Sequence, residues 1–513
     1  MAVFSKLYSK LFLVRGSIFT LLLSLLGSFA LAASRPTVDV FFSGRRYSSL
    51  EPCGCHSRQQ GGVQYEATLY EQVSDRPSIR LDCGFWSSSA AEHSPSVSLR
   101  TRYLLRALDE LDYEAINLGS HDIALGAHFY ENFTQEYPRI GEKLLSTNTF
   151  LKDQPEQRPF APYRIVTRAL TPRLKLRLGV IGVLETGREG AGRTSGHRIV
   201  GQDSPPESDP VEIGEYLVKP ASSVLPSVIH ELRGRVDILV LLYAGEFAAA
   251  ERLALGFSQI DYILTSGRSP RRERNAHKIG RVEMLSVHQS AGKEVGRFGI
   301  AVAGRGHWLT WGRPSWHGVT MDVQPDPELN QLIEQFKHAT RRLEVIPDDA
   351  SLENVYAGVG ACRSCHAPQT VQWQQTAHAH ALQTLVDKGQ QFNPECLPCH
   401  TLGFQHENGF WSVNHPPSQH KQDVQCENCH GPARDHVRDQ LKLQQAGLEG
   451  DAQTNAEQLA TLAARAAASR PDPNVPPSTC LRCHTPENDD RFVYAEKVLK
   501  VDHHVDPPRR SGP

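Results

Sequence analysis

A five-residue word occurs four times between residues 362 and 484, and it constrains the chain more than any other feature. The copies are Cys362-Arg-Ser-Cys365-His366, Cys396-Leu-Pro-Cys399-His400, Cys426-Glu-Asn-Cys429-His430 and Cys480-Leu-Arg-Cys483-His484. Two thiols three residues apart reach the two vinyl groups of one porphyrin, and the adjacent His then lies under the iron as its proximal ligand. A single CxxC would first be read as half of a zinc site or as a disulfide, but zinc knuckles have no need of a His after the second Cys in every copy. Four words use eight of the eleven cysteines, so they read as attachment sites for four covalently attached haem c groups. The proximal ligands are then His366, His400, His430 and His484.

Residues 1–33 read as a signal peptide. Lys6, Lys10 and Arg15 precede the apolar run from Ile18 to Ala32, and Ala30-Leu31-Ala32 has the small-x-small form of a cleavage site. An uncleaved anchor is the alternative, but the apolar core is short for a span. Bacterial c-type haem is attached outside the cytoplasmic membrane, so both signals point to a periplasmic or extracellular protein with no stable membrane span after cleavage. With 55 basic against 57 acidic residues there is no electrostatic case for a nucleic-acid partner.

From about residue 37 to 322 short β-rich apolar runs alternate with helical stretches, which favours an α/β domain of sheet layers covered by helices. Strands are expected at 38–42, 176–184, 236–243, 260–264, 281–287 and 299–302, and helices at 99–111, 129–136, 221–232 and 247–255. Residues 187–210, rich in Gly, Arg, Ser and Pro, read as a long excursion. Leu329, Leu332, Ile333 and Phe336 recur at helical spacing in a linker assigned to 323–350. A mostly α-helical multihaem domain follows at 351–506, with a disordered tail at 507–513.

A haem held by one His can bind an exogenous ligand, whereas one with a second His is saturated and suited to electron transfer. Twelve of the 23 histidines follow residue 360, enough to cap every iron. His378, Leu382 and Leu385 share one helical face, so His378 is expected to point at a porphyrin. His436 is too close to His430 to cap the same haem and is assigned to a neighbouring one. One of His503 and His504 is a further distal ligand, with His504 preferred; His406, His415 and His420 are additional candidates. Four haems on so few residues must supply much of their own core.

Ala377-His378-Ala379, the run from Phe392 to Phe404 around the second word, Val424-Gln-Cys426-Glu-Asn-Cys429-His430-Gly-Pro432 and His436 resemble the tetrahaem cytochromes of the ammonia-oxidiser electron-carrier type. These are related in haem packing to hydroxylamine oxidoreductase and pentahaem nitrite reductase. The resemblance covers about residues 355–506 and implies stacked haem pairs, mostly bis-His iron and electron transfer, sometimes with one reactive five-coordinate haem. The Lys-ligated site of the nitrite reductases has no counterpart, because every word ends in His.

The front segment resembles the 5′-nucleotidase branch of calcineurin-like metallophosphatases, which also contains a sulfate thiohydrolase. The likeness lies in Leu81-Asp82-Cys83-Gly84-Phe85, Ile116-Asn-Leu-Gly-Ser-His-Asp122 and the strand segments that follow. The resemblance implies a layered sandwich with two metals, but Arg45 and Arg46 stand in the first metal-binding segment, Phe85 replaces the bridging Asp, and Ser120 replaces an Asn. Tyr243 and Ala244 replace Ser-His, and Arg268-Ser-Pro270 replaces His-x-His; only His121 and Asp122 remain. Phe85 cannot bridge two cations, so the phosphoesterase centre is expected to be lost. Cys53, Cys55 and Cys83 lie about the former active-site mouth. They are read either as one disulfide plus a free thiol or as a soft-metal or reactive-thiol site with His56 or His121.

Three functions are expected in order. The first is an exported tetrahaem cytochrome passing electrons between redox protein partners, with an inactive phosphatase-like domain for docking or recognition. The second is a multihaem oxidoreductase acting on a small nitrogen or sulfur compound at a five-coordinate haem or Cys-rich pocket. A haem-tethered phosphoester hydrolase is disfavoured. A multi-subunit complex or haem-contacting oligomer is compatible with the first two.

Overall fold

The computed structural model describes residues 36–53, 59–88, 94–186, 209–267, 275–289, 291–302, 308–343, 355–406, 408–448, 456–485, 489 and 492–503. The expected signal peptide, most of the 187–210 excursion, the Arg268-Ser-Pro270 segment and the expected tail lie outside them.

The front segment folds as two six-stranded sheets packed face to face. In the first, β1 (Thr37–Ser43), β2 (Ser78–Asp82), β3 (Tyr113–Asn117) and β4 (Leu144–Leu145) run parallel, and β11 (Glu294–Val302) and β12 (Trp308–Gly318) extend it antiparallel beyond β1. The second sheet has β6 (Leu174–Leu184), β7 (Ile238–Ala244), β8 (Tyr262–Thr265) and β10 (Val282–Ser286) in parallel, flanked by the antiparallel edges β5 (Tyr163–Thr171) and β9 (His277–Ile279).

Parallel strands covered on both faces read as unbroken apolar runs, and β7, Ile-Leu-Val-Leu-Leu-Tyr-Ala, is buried throughout. Because strand side chains alternate, Ile238, Val240 and Leu242 enter the core between the sheets with Val38, Val40 and Phe42 of β1. Leu239, Leu241 and Tyr243 pack instead with helices α4 (Ala221–Leu232) and α5 (Phe247–Gly256). The outer face of the first sheet is covered by α1 (Val63–Val73), α2 (Pro95–Glu110), α3 (Gly126–Glu136) and α6 (Pro327–Thr340). The result is a four-layer αββα sandwich. Asn117, fully buried at the end of β3, donates its amide to the Val183 and Leu242 carbonyls at 3.0 Å each and so ties the two sheets together. Gly182 permits this approach, since a Cβ there would stand 2.6 Å from Asn117 Oδ1.

The helix expected as a linker belongs to this core. Asp326 caps it through Leu329 N, Pro327 opens it, and Leu329, Leu332, Ile333 and Phe336 are buried among the residues of α1 and α2. Its periodicity was visible in the sequence, but the face awaiting it was not. Strands β2, β3, β5 and β12 and helix α1 were not expected either. The Ser-Ile-Arg-Leu-Asp of β2 alternates over only five residues, and β5 is an edge strand with Arg164 and Arg168 along it.

Beyond residue 355 the chain is helical and loosely cored: α7 (Ala367–Gln374), α8 (Ala381–Val386), α9 (Arg434–Leu448) and α10 (Ala456–Ala468) alternate with short turns. The apolar cluster there has four buried members, Leu382, Leu385, Leu397 and Phe410. No described helix is long and apolar enough to cross a membrane.

Because Phe336 is buried where α6 meets the first sheet's helices, Phe336→Ala is expected to cost about 3–5 kcal/mol. Urea unfolding followed by circular dichroism, with the haem absorbance recorded in parallel, measures it.

Candidate functional site

Three of the four motif histidines have one ring nitrogen fixed by the fold. His400 Nδ1 donates to the Ala381 carbonyl at 2.7 Å, His430 Nδ1 to the Asp472 carbonyl at 2.8 Å, and His484 Nδ1 to Asp489 Oδ2 at 2.9 Å. A ring whose Nδ1–H is donated in this way presents Nε2 in one direction as a ligand. Phe492 stacks on His484 with ring centroids 4.4 Å apart, fixing the plane of that ring as well.

Two of these histidines face a second one. His378 lies 6.2 Å from His484, centroid to centroid, and His503 lies 5.7 Å from His430. Metal–imidazole bonds of about 2 Å, each extended by roughly 1.2 Å to the ring centre, put the rings of a bis-histidine iron about 6.3 Å apart. Both pairs are near that spacing. His378 is held by its neighbours: its carbonyl accepts from Val424 N at 3.1 Å, and Trp373 Nε1 donates to the Val424 carbonyl at 2.8 Å. Burial, with His484 nearby, moves His378 below its ordinary pKa and keeps it the neutral imidazole a metal needs. His366 shifts the same way through burial and the proximity of His436, Arg470, His503 and His430. On α9, His436 has its Nδ1 buried without a hydrogen-bond partner.

The thiols group by motif. Cys362 lies beside Cys426, bringing words one and three together, and Cys483 beside Cys399, bringing words four and two together. Cys429 lies near Cys480 and Cys483, and burial pushes its thiol up to about 11. None of the eight motif cysteines is in a disulfide. Among the described residues no group of three or more His, Cys, Asp or Glu is arranged to hold a bare metal ion. Paired thiols and rings with an open Nε2 fit a porphyrin with two thioether links and an axial imidazole.

Word three also binds its neighbours through the residues between its cysteines. Glu427 accepts from Ala357 N, Gly358 N and Ala433 N at 2.9, 2.7 and 2.7 Å, holding the approach to word one. Asn428 Nδ2 donates to the Thr401 carbonyl at 3.0 Å, directly after His400. Lys421, fully buried, donates to the Tyr356 carbonyl at 2.5 Å.

The mouth of the front domain is occupied by protein. Arg46 is fully buried: Nη1 and Nη2 reach the two Glu66 oxygens at 2.8 Å each, Nε reaches Asp82 Oδ2 at 3.1 Å, and Nη2 also meets Tyr113 Oη and Ser43 Oγ. Burial raises Glu66, but Arg46 and the hydrogen bonds from Tyr113 and Tyr70 outweigh it and leave the carboxyl below its ordinary range. Above this network Tyr47, Phe85 and His121 form a ring cluster with centroids 5.6–6.4 Å apart. Asp122 accepts from Gly119 N, Phe85 N and Ser87 N at 2.6, 2.8 and 2.6 Å, so its carboxylate organises loop backbone. Arg45, Tyr47, Ser48 and Phe85 all adopt positive φ, between 49° and 59°, a concentration of strain at one place.

Residues 361–431 match the family described as cytochrome c554 and c-prime. Cytochrome c-554 of Nitrosomonas europaea is 30% identical over 120 residues, which is 20% of this chain and 50% of that protein. The chain thus spans half the length of the curated relative it matches. The reduced cytochrome c554 structure from the same organism is 26% identical, with a TM-score of 0.21, over 28% of this chain and 82% of that one. The 5′-nucleotidase precursor of Thermus thermophilus superposes with a TM-score of 0.46 at 17% identity, covering 69% of this chain and 68% of that one. A sulfate thiohydrolase of the same species does so at 0.44 and 13%, covering 64% and 68%. The chain therefore has a cytochrome c554-like segment behind its four-layer α/β domain.

Within the cytochrome c554-like segment one expectation changes. His378 lies in a separate 3-10 turn, Ala377–His380, rather than on one helix with Leu382 and Leu385. His503 lies beside His430; His504 lies outside the described residues. The backbone and carboxylate acceptors of the motif histidines were missed, although Asp489 stands only five residues after His484. In the front domain Cys83 is turned away from the mouth. It packs fully buried between the sheets with Val40, Leu81 and Phe298, and burial raises its thiol far above the ordinary range, unlike a reactive or metal-binding cysteine. The Cys53 side chain and Cys55 lie outside the described residues.

Removing one partner of a buried ion pair leaves the other charge uncompensated, so Arg46→Ala is expected to destabilise the front domain by about 3–5 kcal/mol. Urea denaturation of the variant should show the front-domain transition at lower concentration, with the haem spectrum of the native state unchanged.

Proposed function

We propose that the chain is an exported multihaem c-type cytochrome that carries four covalently attached haems and passes electrons between redox protein partners. The observation that carries this reading is the pairing of His378 with His484 and of His503 with His430 near bis-histidine spacing, each beside a CxxCH word. His366, His400, His430 and His484 serve as proximal ligands. His378 and His503 cap words four and three, and His436 caps word one. The haems supply one-electron chemistry; the chain fixes ring orientation and shields the groups from water. The contacts between words one and three and between words two and four support two adjacent haem pairs through which electrons pass. The N-terminal segment would deliver the chain to the periplasm, where partners are met, alone or in a larger assembly.

The front domain, in this reading, is a non-catalytic recognition module. A guanidinium holds Glu66 and Asp82, and Phe85 and Tyr47 fill the mouth, an arrangement that favours neither two cations nor a phosphoester. A second reading is supported at word two. Among the described residues neither His366 nor His400 has a ring pair like those of His430 and His484, and only His366 has His436 near it. The iron of word two is where a small nitrogen or sulfur compound would bind in an oxidoreductase.

Pyridine haemochrome analysis is expected to give four haems per chain, and metal analysis no two equivalents of Mn, Zn or further Fe. His378→Ala is expected to convert one low-spin haem to high spin in the electron paramagnetic resonance spectrum, leaving the haem count at four. An unchanged spectrum would remove His378 as a ligand. A high-spin component in the unmodified protein that responds to nitrite, hydroxylamine or sulfite would favour the second reading.

His484 donates to a carboxylate, whereas His400 and His430 donate to carbonyls. An anionic acceptor makes the imidazole a stronger donor and favours ferric iron. Asp489→Asn is therefore expected to raise the potential of one haem in a spectroelectrochemical titration and leave the others in place.

A further inference from the structure

The front and haem-bearing segments are joined by polar contacts that converge on one short stretch. Arg100 of α2 forms an ion pair with Glu395 at 2.6 Å and donates to Asn393 Oδ1 at 3.3 Å, while Ser96 Oγ reaches the same Glu395 at 3.3 Å. Glu51 accepts from Gln390 Nε2 and pairs with Lys337 of α6 at 3.3 Å. Arg341 lies over the Phe392 ring, 5.1 Å from its centroid. Apart from the Glu51–Lys337 pair, which holds Glu51 in place, these contacts land on residues 390–395, immediately before Cys396. Asn393 passes them on: its carbonyl accepts from Cys396 N and Leu397 N at 3.0 and 3.2 Å, starting the turn that carries word two. On the other side, Thr101, next to Arg100, bonds Ser48 at the mouth at 2.9 Å, and Glu51 stands three residues beyond Ser48.

We infer that the front domain is a built-in positioning element of the second haem site, with Arg100 and Glu51 as positioning residues that hold residues 390–395 immediately ahead of word two. This rests on reading Cys396, Cys399 and His400 as a haem site. The mechanism is mechanical and electrostatic. The grip sets how the attachment turn sits and how much water reaches it, and burial and hydrogen bonding are what tune a haem. The other three words are not gripped by these residues, so the effect is confined to one haem.

The test uses the full-length holoprotein with Arg100→Ala, Glu51→Gln, and the charge exchange Arg100→Glu with Glu395→Arg. Native-state proteolysis reports how often residues 389–395 open, and a potentiometric titration followed by electron paramagnetic resonance reports each haem. Arg100→Ala and Glu51→Gln are each expected to accelerate cleavage in that stretch about tenfold, as loss of a partly buried contact does. They should also shift one haem component only, and the charge exchange should restore both readouts toward the unmodified protein. Cleavage and all haem components unchanged in both single variants would overturn the inference, as would a uniform shift of every haem. If the purified chain carries no haem at word two, the reading of that site falls, and the proteolysis still decides whether the front domain grips the segment.

Discussion

A histidine ligand is given a direction when its other ring nitrogen is held by the fold. The arrangement of residues 355–503 depends on that requirement more than on an apolar core. His400 is tied to a carbonyl at the start of α8, His430 to one in the extended stretch after α10, and His484 to the Asp489 carboxylate. Each acceptor comes from a different part of the segment. Orienting three imidazoles therefore fixes α8, the 472 region and the C-terminal stretch at once, where only four buried apolar side chains form a cluster. Polar bonds of this kind are worth about 1 kcal/mol net when satisfied, but leaving one unmade in a buried site costs more, so they specify geometry more than they stabilise it.

The front domain meets the opposite problem, a surplus of buried carboxylates about its mouth. Asp82, Glu66 and Asp122 are all buried. Two are neutralised by one guanidinium, and the third spends its oxygens on three backbone N–H groups. Arg can do this because its planar fork meets a carboxylate with two parallel bonds. A Lys there would leave one Glu66 oxygen without a cationic donor. Positive φ at Arg45, Tyr47, Ser48 and Phe85 is the conformational cost of wrapping the chain around that cation.

What the sequence disclosed follows the range of the chemistry involved. The CxxCH words are local patterns, so all four are legible in the sequence itself. The β7 run and the period of α4 are nearly local, and both elements lie where expected. His378 could be singled out by its neighbours, but its partner His484 is brought to it only by the fold. His503 and His504 are adjacent and chemically equal, so the choice between them rests on tertiary placement. Arg46 was noticed as a departure from the resembled pattern. Its meaning needed Glu66, Asp82 and Tyr113, which come from three different elements. Cys83 misled for the same reason: a loop position near the mouth does not say which way the thiol points.

The order of the four words along the chain differs from their order in space, and word three explains how the difference is held. Its two intervening residues, Glu427 and Asn428, are occupied by backbone groups that flank words one and two, through Ala357 and Gly358 before the first and Thr401 after the second. Gln425, just before it, accepts from Val359 N at 2.8 Å. Gly358 has φ +80°, a conformation most residues resist, and this turns the arm toward Glu427. A CxxCH word needs only its cysteines and histidine to bind a haem, so any residues could stand between them. That the intervening pair here carries the contacts to two other words means that the spacing between sites is specified by the polypeptide.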